Sequence, residues 1–239
     1  MCSTTWCSRL PERGKTLQSL PAGFPTGVIF DMDGLLLDSE RLARDAFVAA
    51  CTEHGWTADL DVYHQCIGST SQATETRLRA HFGEKFPYRA VDTSWSRHYH
   101  ARLAKAPVPK KSGALELLQY LVNVKVPRAL ATSTARVTAE RKLHDSGLLD
   151  YFEHRVCGGE TPRGKPYPEP YQAAAERLGL KPEQCLALED SGNGVRSAHA
   201  AGCVVIQIPD LVSPGPELSE LDHQIVESLT DVLRLLKER

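Results

Sequence analysis

The sequence predicts an α/β fold: a doubly wound parallel sheet carrying an inserted block of helices. Three observations lead there. Short apolar runs end again and again in acids, hydroxyls or glycine, helical patterns separate those runs, and one long early stretch is helical in pattern with no β run. Alternating strands and helices build a parallel sheet covered on both faces. Ligands of such sheets sit beyond the carboxyl ends of the strands.

The strand candidates come first. Val28, Ile29 and Phe30 form a buried run that delivers Asp31, Asp33 and Gly34 at its end. VPRALATST is apolar through Leu130 and Ala131 and then turns to hydroxyls. HRVCGGE, from His154 to Glu160, is a weaker run. QCLALEDSGNG ends in Glu189, Asp190 and a glycine-rich turn, and GCVVIQIPD ends near Pro209.

Helices are predicted between them. SGALELLQYLVNV places Leu115, Leu118 and Leu121 or Val122 at helical spacing before Pro127. TARVTAERKLHDSG stops at Gly147, and PEPYQAAAERLGL stops at Gly179, a C′ glycine. NGVRSAHAAG follows the acidic turn. TDVLRLLKER closes the chain, with Thr230 or Asp231 as its N-cap.

Residues 42–107 read as helices throughout, which predicts a separate cap domain with Pro107 and Pro109 marking its exit. The expected organisation is a leader over 1–23, an α/β core over 24–41 and 108–239, and the helical cap over 42–107. The leader is polar, is broken by Pro and Gly, and lacks the apolar stretch of a signal peptide. A transit peptide is its weaker alternative reading.

At 239 residues the chain has room for a large core. A net charge of −2 gives no basic surplus of the kind that marks nucleic-acid binders. No apolar run reaches membrane-spanning length, so neither a nucleic-acid nor a membrane partner is expected. Seven cysteines at irregular spacing, without a C-x-x-C pair, read as reduced thiols of a cytoplasmic protein. A monomer is the default expectation.

Asp31 and Asp33 sit two apart where a strand ends, so they face one side, and Gly34 permits a sharp turn. One carboxylate of such a pair can attack phosphorus while the other moves a proton. By itself the pair is equally a solvated turn. Thr132 and Ser133 end a second strand, where hydroxyls suit a phosphoryl oxygen. Lys165, between Gly164 and Pro166, can offset charge on a carboxylate and a phosphate. Glu189 and Asp190 end another strand, and with Asp31 they offer hard oxygen ligands to magnesium.

Together these segments resemble a haloacid dehalogenase-superfamily hydrolase. DMDGLLLDSE is similar to that family's first motif, ATST to its second, Lys165 in GKPYPEP to its third and EDSGNG to its fourth. The match in type and order runs from about residue 24 through nearly the whole chain. It looks most like the phosphatase and β-phosphoglucomutase branch, pseudouridine-5′-phosphate phosphatases included.

The resemblance implies a Mg²⁺-dependent phosphatase of a small phosphomonoester: a sugar phosphate, phosphoglycolate or a nucleotide. It makes Asp31 the nucleophile and Asp33 the acid and base. Thr132 and the Ser133 backbone become phosphate ligands, and Lys165 the charge stabiliser. Asp31, the Asp33 carbonyl, Asp190 and Glu189 become the metal site.

Asp33 itself favours phosphate-ester chemistry, since dehalogenase-type members usually lack an acid there. A mutase is the alternative, but the mutases resembling this chain carry a His where it has Ala43 and an Arg where it has Ser71. A catalytically silent binding protein of the same fold is the other alternative. Glu40, Gly68 and Ser69 are the weaker candidates for contact between cap and substrate. His98-Tyr99-His100 and Lys110-Lys111 read as surface, Cys157 as an inert thiol, and Trp56 and Trp95 as cap core.

Overall fold

The computed structural model describes residues 25–67, 71–221 and 223–238. Within them one sheet runs through β1 (Gly27–Phe30), β2 (Arg128–Ala135), β3 (His154–Gly158), β4 (Cys185–Glu189), β5 (Val204–Gln207) and β6 (Gln224–Ile225). Its spatial order is β3-β2-β1-β4-β5-β6, and every pairing is parallel. The chain walks outward from β1 through β2 to β3, then returns to place β4 on the other side of β1. That reversal opens a crevice between the carboxyl ends of β1 and β4.

Period-two patterning explains why the sheet is buried on both faces. Val28 and Phe30 of β1, with Leu186 and Leu188 of β4, face the apolar layer that holds Leu117, Leu121 and Val232. Ile29, Cys185 and Ala187 face the opposite layer, with Tyr171, Ala174, Val195 and Ala198. The first layer is closed by α5 (Ala114–Asn123), α6 (Arg136–Asp145) and α9 (Leu229–Lys237), the second by α7 (Glu169–Arg177) and α8 (Gly192–Ala201). Each large side chain buried here contributes about 1.5–3 kcal/mol. The C′ glycines Gly147 and Gly179 both take φ +69°, as helix ends of this kind require.

The helices α1 (Ser39–Glu53), α2 (Leu60–Cys66), α3 (Ser71–Phe82) and α4 (Tyr88–Leu103) lie between β1 and α5 in sequence. They have an apolar centre of their own, built on Phe47, Tyr63, Leu78 and Phe86. Phe47 lies 5.3 Å from the Tyr63 ring and 5.0 Å from Trp95, which pins α1, α2 and α4 together. The chain enters and leaves this block through paired segments. Asp38 N–H donates to Pro109 O at 2.8 Å, and Lys111 N–H to Leu36 O at 2.9 Å.

Three details depart from the sequence reading. Ser228, not Thr230 or Asp231, caps α9, its hydroxyl accepting from Asp231 N–H. The cap lies one residue before the apolar pattern starts, so periodicity placed it late. Strand β6 spans two residues, too short to show any alternation. Lys111 is not a solvated flank: its Nζ lies 2.5 Å from Asp210, which Arg41 also meets at 2.9 Å.

Candidate active site

The site forms where β1 and β4 end. Asp31 N–H donates to Leu188 O at 3.0 Å, so the parallel ladder itself places Asp31 beside the Glu189-Asp190 turn. The loop after Asp31 folds back on itself, with Leu36 and Leu37 N–H both donating to Met32 O at 3.0 Å. Met32, Leu35, Leu36 and Leu37 are fully buried and anchor that loop. Gly34 has φ +85°, and a Cβ there would lie 2.1 Å from Asp190 Oδ2. Only glycine brings this backbone so close to the carboxylate.

Lys165 joins the two strand ends. Its Nζ lies 2.5 Å from Asp31 Oδ1 and 2.5 Å from Glu189 Oε1. Tyr171 Oη donates to the same Glu189 oxygen at 2.6 Å. The other Glu189 oxygen accepts from the N–H groups of Asp190 and Ser191 and from the Ser191 hydroxyl. Gly194 makes room for this carboxylate, since a Cβ there would meet it at 1.9 Å.

Asp31, Glu189 and Asp190 are buried, and each offers an oxygen within 4.8 Å of the others. Of these three carboxylates, Lys165 pairs with two, Asp31 and Glu189. Burial pushes Asp31 up to about 7, with Glu189 adding to the rise and Lys165 opposing it. Burial also drives Asp190 well above the carboxylate range, helped by Asp31 and Glu189. Surplus buried negative charge of this kind suits a hard divalent cation with oxygen ligands.

Asp33 has different partners. Thr134 Oγ1 donates to its Oδ2 at 2.6 Å and Lys142 Nζ to its Oδ1 at 2.8 Å. Burial alone would raise this carboxyl, but Lys142 and the two hydrogen bonds outweigh it and hold it below its ordinary range. Lys142, on α6, is itself buried and lies 5.2 Å from the Tyr99 ring centre. The register of β2 beside β1 sets Leu130 against Phe30, which brings the strand end carrying Thr132 alongside Asp31. Thr132 is buried and its Oγ1 accepts from Thr134 N–H at 3.1 Å, whereas Ser133 is exposed.

Sequence reasoning missed Lys142, Thr134, Tyr171 and Tyr99. Thr134 stood in the quoted ATST run. Lys142 and Tyr99 sat in helices as ordinary polar positions and gave no local signal. Tyr99 faces Lys142 rather than solvent, while its neighbour His98 meets Glu53 at 2.8 Å. Cys157 is buried and its thiol is raised by burial, as an inert thiol should be. Glu40 is half-buried in the first turn of α1. Burial, then the charges of Asp33 and Asp210, push its carboxyl to about 7. Gly68 and Ser69 lie outside the described residues.

The model of the haloacid dehalogenase-like hydrolases matches residues 25–202. The chain belongs to that family. It is a hydrolase by membership, and the ends of β1, β2 and β4 that build the site fall inside the matched span. Among its relatives is a probable pseudouridine-5′-phosphatase of Drosophila melanogaster, 34% identical over 86% of this chain and 90% of that protein. A phosphorylated carbohydrates phosphatase of Thermotoga maritima is 29% identical over 88% of this chain and 98% of its own length. The crystal structure of a putative β-phosphoglucomutase from Thermotoga maritima superposes with a TM-score of 0.74 at 28% identity, covering 89% of this chain and 98% of that one. Among the described residues no helix is long and apolar enough to cross a membrane.

Proposed function

We propose that this hydrolase is a Mg²⁺-dependent phosphatase of small phosphomonoesters that works through an aspartyl-phosphate on Asp31. One observation carries the reading: a carboxylate at a strand end, touched by a buried ammonium, beside a second carboxylate held in a different electrostatic state. The phosphatase names of the relatives support the same reaction class.

Asp31 attacks phosphorus through a carboxylate oxygen, and the bond to the leaving oxygen breaks as that oxygen takes a proton from Asp33. Asp33 then removes a proton from water, the water oxygen bonds to phosphorus, and the bond to Asp31 breaks. Lys165 offsets charge on Asp31 as the phosphoryl group arrives, and Thr132 with the Ser133 backbone orients its oxygens. Phosphoryl transfer rests mainly on such positioning and charge balance. Lys142 and Thr134 hold Asp33 as a carboxylate, the form that accepts a proton from water. To act as the acid, Asp33 exchanges these partners for a proton.

The carboxylates of Asp31 and Asp190, with the Asp33 carbonyl, would hold Mg²⁺. Glu189, already saturated by Lys165, Tyr171 and backbone N–H groups, suits an outer position. The ion supplies charge neutralisation to the attacking carboxylate and the phosphate. Residues 42–107 act as a cap over the core of 24–41 and 108–239, keeping water from the reacting centre.

The mutase reading is the weaker one. Ala43 and Ser71, the positions at which its cations are missing, both line a cavity among the helices. Phosphate release from a panel of monoesters with Mg²⁺, beside an Asp31→Asn control, tests the proposal. Interconversion of β-glucose 1-phosphate and glucose 6-phosphate without net phosphate release would sink it.

A further inference from the structure

The helices α1 to α4 line a partly open cavity of about 350 Å³. It borders the catalytic crevice: Glu40 and Tyr99 line it, and both feel the charge of Asp33. This volume lies at the small end of ligand pockets, enough for one sugar or one nucleoside.

The walls are aromatic and already fixed. Trp95 Nε1 donates to Ala43 O at 2.8 Å, Tyr63 Oη to Glu40 O at 3.3 Å and Tyr88 Oη to Ser71 O at 3.4 Å. These hydroxyl and indole groups are thus engaged by backbone, and Tyr63, Tyr88 and Trp95 stand in the lining with their own polar atoms already paired. Ser71, Thr74 and Ser96 add hydroxyls, and the charged groups in the lining are the acids Glu40 and Asp92.

Among the described residues no Lys, Arg or His lines the cavity. The nearby cations are each paired with an acid, although Lys142 lies 5.2 Å from the ring centre of Tyr99 and Arg79 5.9 Å from that of Tyr88, both lining residues. Lys142 is bound to Asp33, Arg44 pairs with Asp45, and Arg79 pairs with Glu75. Arg77 is exposed on α3; its charge is felt by the Cys66 thiol, but it forms no part of the lining.

We infer that the leaving group this cavity accepts is uncharged and hydroxyl-bearing, with a ring to set against the aromatic walls, and that monoesters bearing a second phosphate or a carboxylate are rejected. The inference rests on the phosphatase reading for the position of the phosphoryl group. Its physics is separate. A second anion would enter a partly open space beside Asp92 and Glu40, where the described lining offers no Lys, Arg or His to receive it. Like charges so placed repel, whereas sugar hydroxyls find acceptors in Glu40 and Asp92, and a ring finds apolar contact with the aromatic lining residues.

The test uses matched pairs: ribose 5-phosphate against ribose 1,5-bisphosphate, a nucleoside 5′-monophosphate against its 3′,5′-bisphosphate, and glycerol phosphate against phosphoglycolate. The uncharged member is expected to show kcat/KM about 100-fold higher in each pair. Ser96→Lys and Asp92→Asn are expected to shrink that ratio at least tenfold by raising kcat/KM on the charged member. Both positions are exposed on α4, where such side chains are tolerated. Equal rates within the pairs, or ratios that neither variant moves, would overturn the inference while leaving the phosphatase reading intact. Calorimetric binding of the same pairs to the Asp31→Asn protein needs no turnover. A preference there with no turnover in the wild type would overturn the phosphatase reading alone, and equal affinities would overturn this inference alone.

Discussion

The crevice at the strand ends and the cavity among the helices lie side by side, yet they are built by opposite means. The crevice crowds charge: Asp31 and Glu189 press on Lys165 with Asp190 beside them, and Asp33 is gripped by Lys142. Its carboxylates are delivered by the ends of β1 and β4, whose register places them, while Lys165 comes from a loop and Lys142 from α6. The cavity carries its polarity on hydroxyls and on the acids Glu40 and Asp92, and its aromatic lining residues Tyr63 and Trp95 pack on Phe47. On the proposed reading, reaction chemistry belongs to the strand-end crevice and choice of leaving group to the cavity whose walls are side chains.

The largest expected effect would break the comparison on the crevice side. Asp31→Asn removes the attacking oxygen's charge, and phosphate release is expected to fall about 1,000-fold or more in a continuous phosphate assay, with the circular dichroism spectrum unchanged. A smaller loss would place the chemistry elsewhere.

Magnesium probes the surplus charge directly. At a concentration about 100 times its Kd it is expected to stabilise the wild type by about 2.7 kcal/mol, read as a rise in Tm. Asp190→Asn is expected to lose most of that gain. Equal stabilisation of both proteins would remove Asp190 from the metal site.

Lys142→Met tests the second carboxylate. With its main cation gone, Asp33 titrates higher, so the acid limb of the kcat profile moves to higher pH and kcat at neutral pH drops by about 10–100-fold. A purely structural lysine would lower Tm and leave the profile in place.

The smallest effect lies at the boundary between the two regions. Folding raises the Glu40 carboxyl from 4.5 to about 7. Between those values the folded state holds a proton that the unfolded state has shed, so stability falls as pH rises through the window. In metal-free protein Glu40→Gln is expected to match the wild type below pH ~4.5 and to exceed it by about 1 kcal/mol above pH ~7, after discounting for partial exposure. Denaturant melts at two pH values decide it, and a difference of the same size at both would rule out titration as the cause.

Asp31, Thr132, Lys165, Glu189 and Asp190 were legible in the sequence because each follows an apolar run or sits in a Gly/Pro loop, and position along the chain there maps onto position in space. The parallel sheet was legible for the same reason: strands buried on both faces leave apolar runs such as VIF and LAL. Lys142 and Tyr99 left no such mark. They reach Asp33 and one another only because α6 and α4 pack where they do, and helical periodicity reports which face is buried without naming what lies across from it. The sharing of Asp210 by Arg41 and Lys111 was hidden likewise, since its partners stand 169 and 99 residues away. By itself, then, the sequence determined the sheet, the strand-end acids and the reaction family, all of which follow from local pattern and order. Only tertiary structure decided the protonation bias of Asp33, the charge surplus around Lys165 and the cavity whose described lining holds no cation, because each depends on distances between segments far apart in the chain.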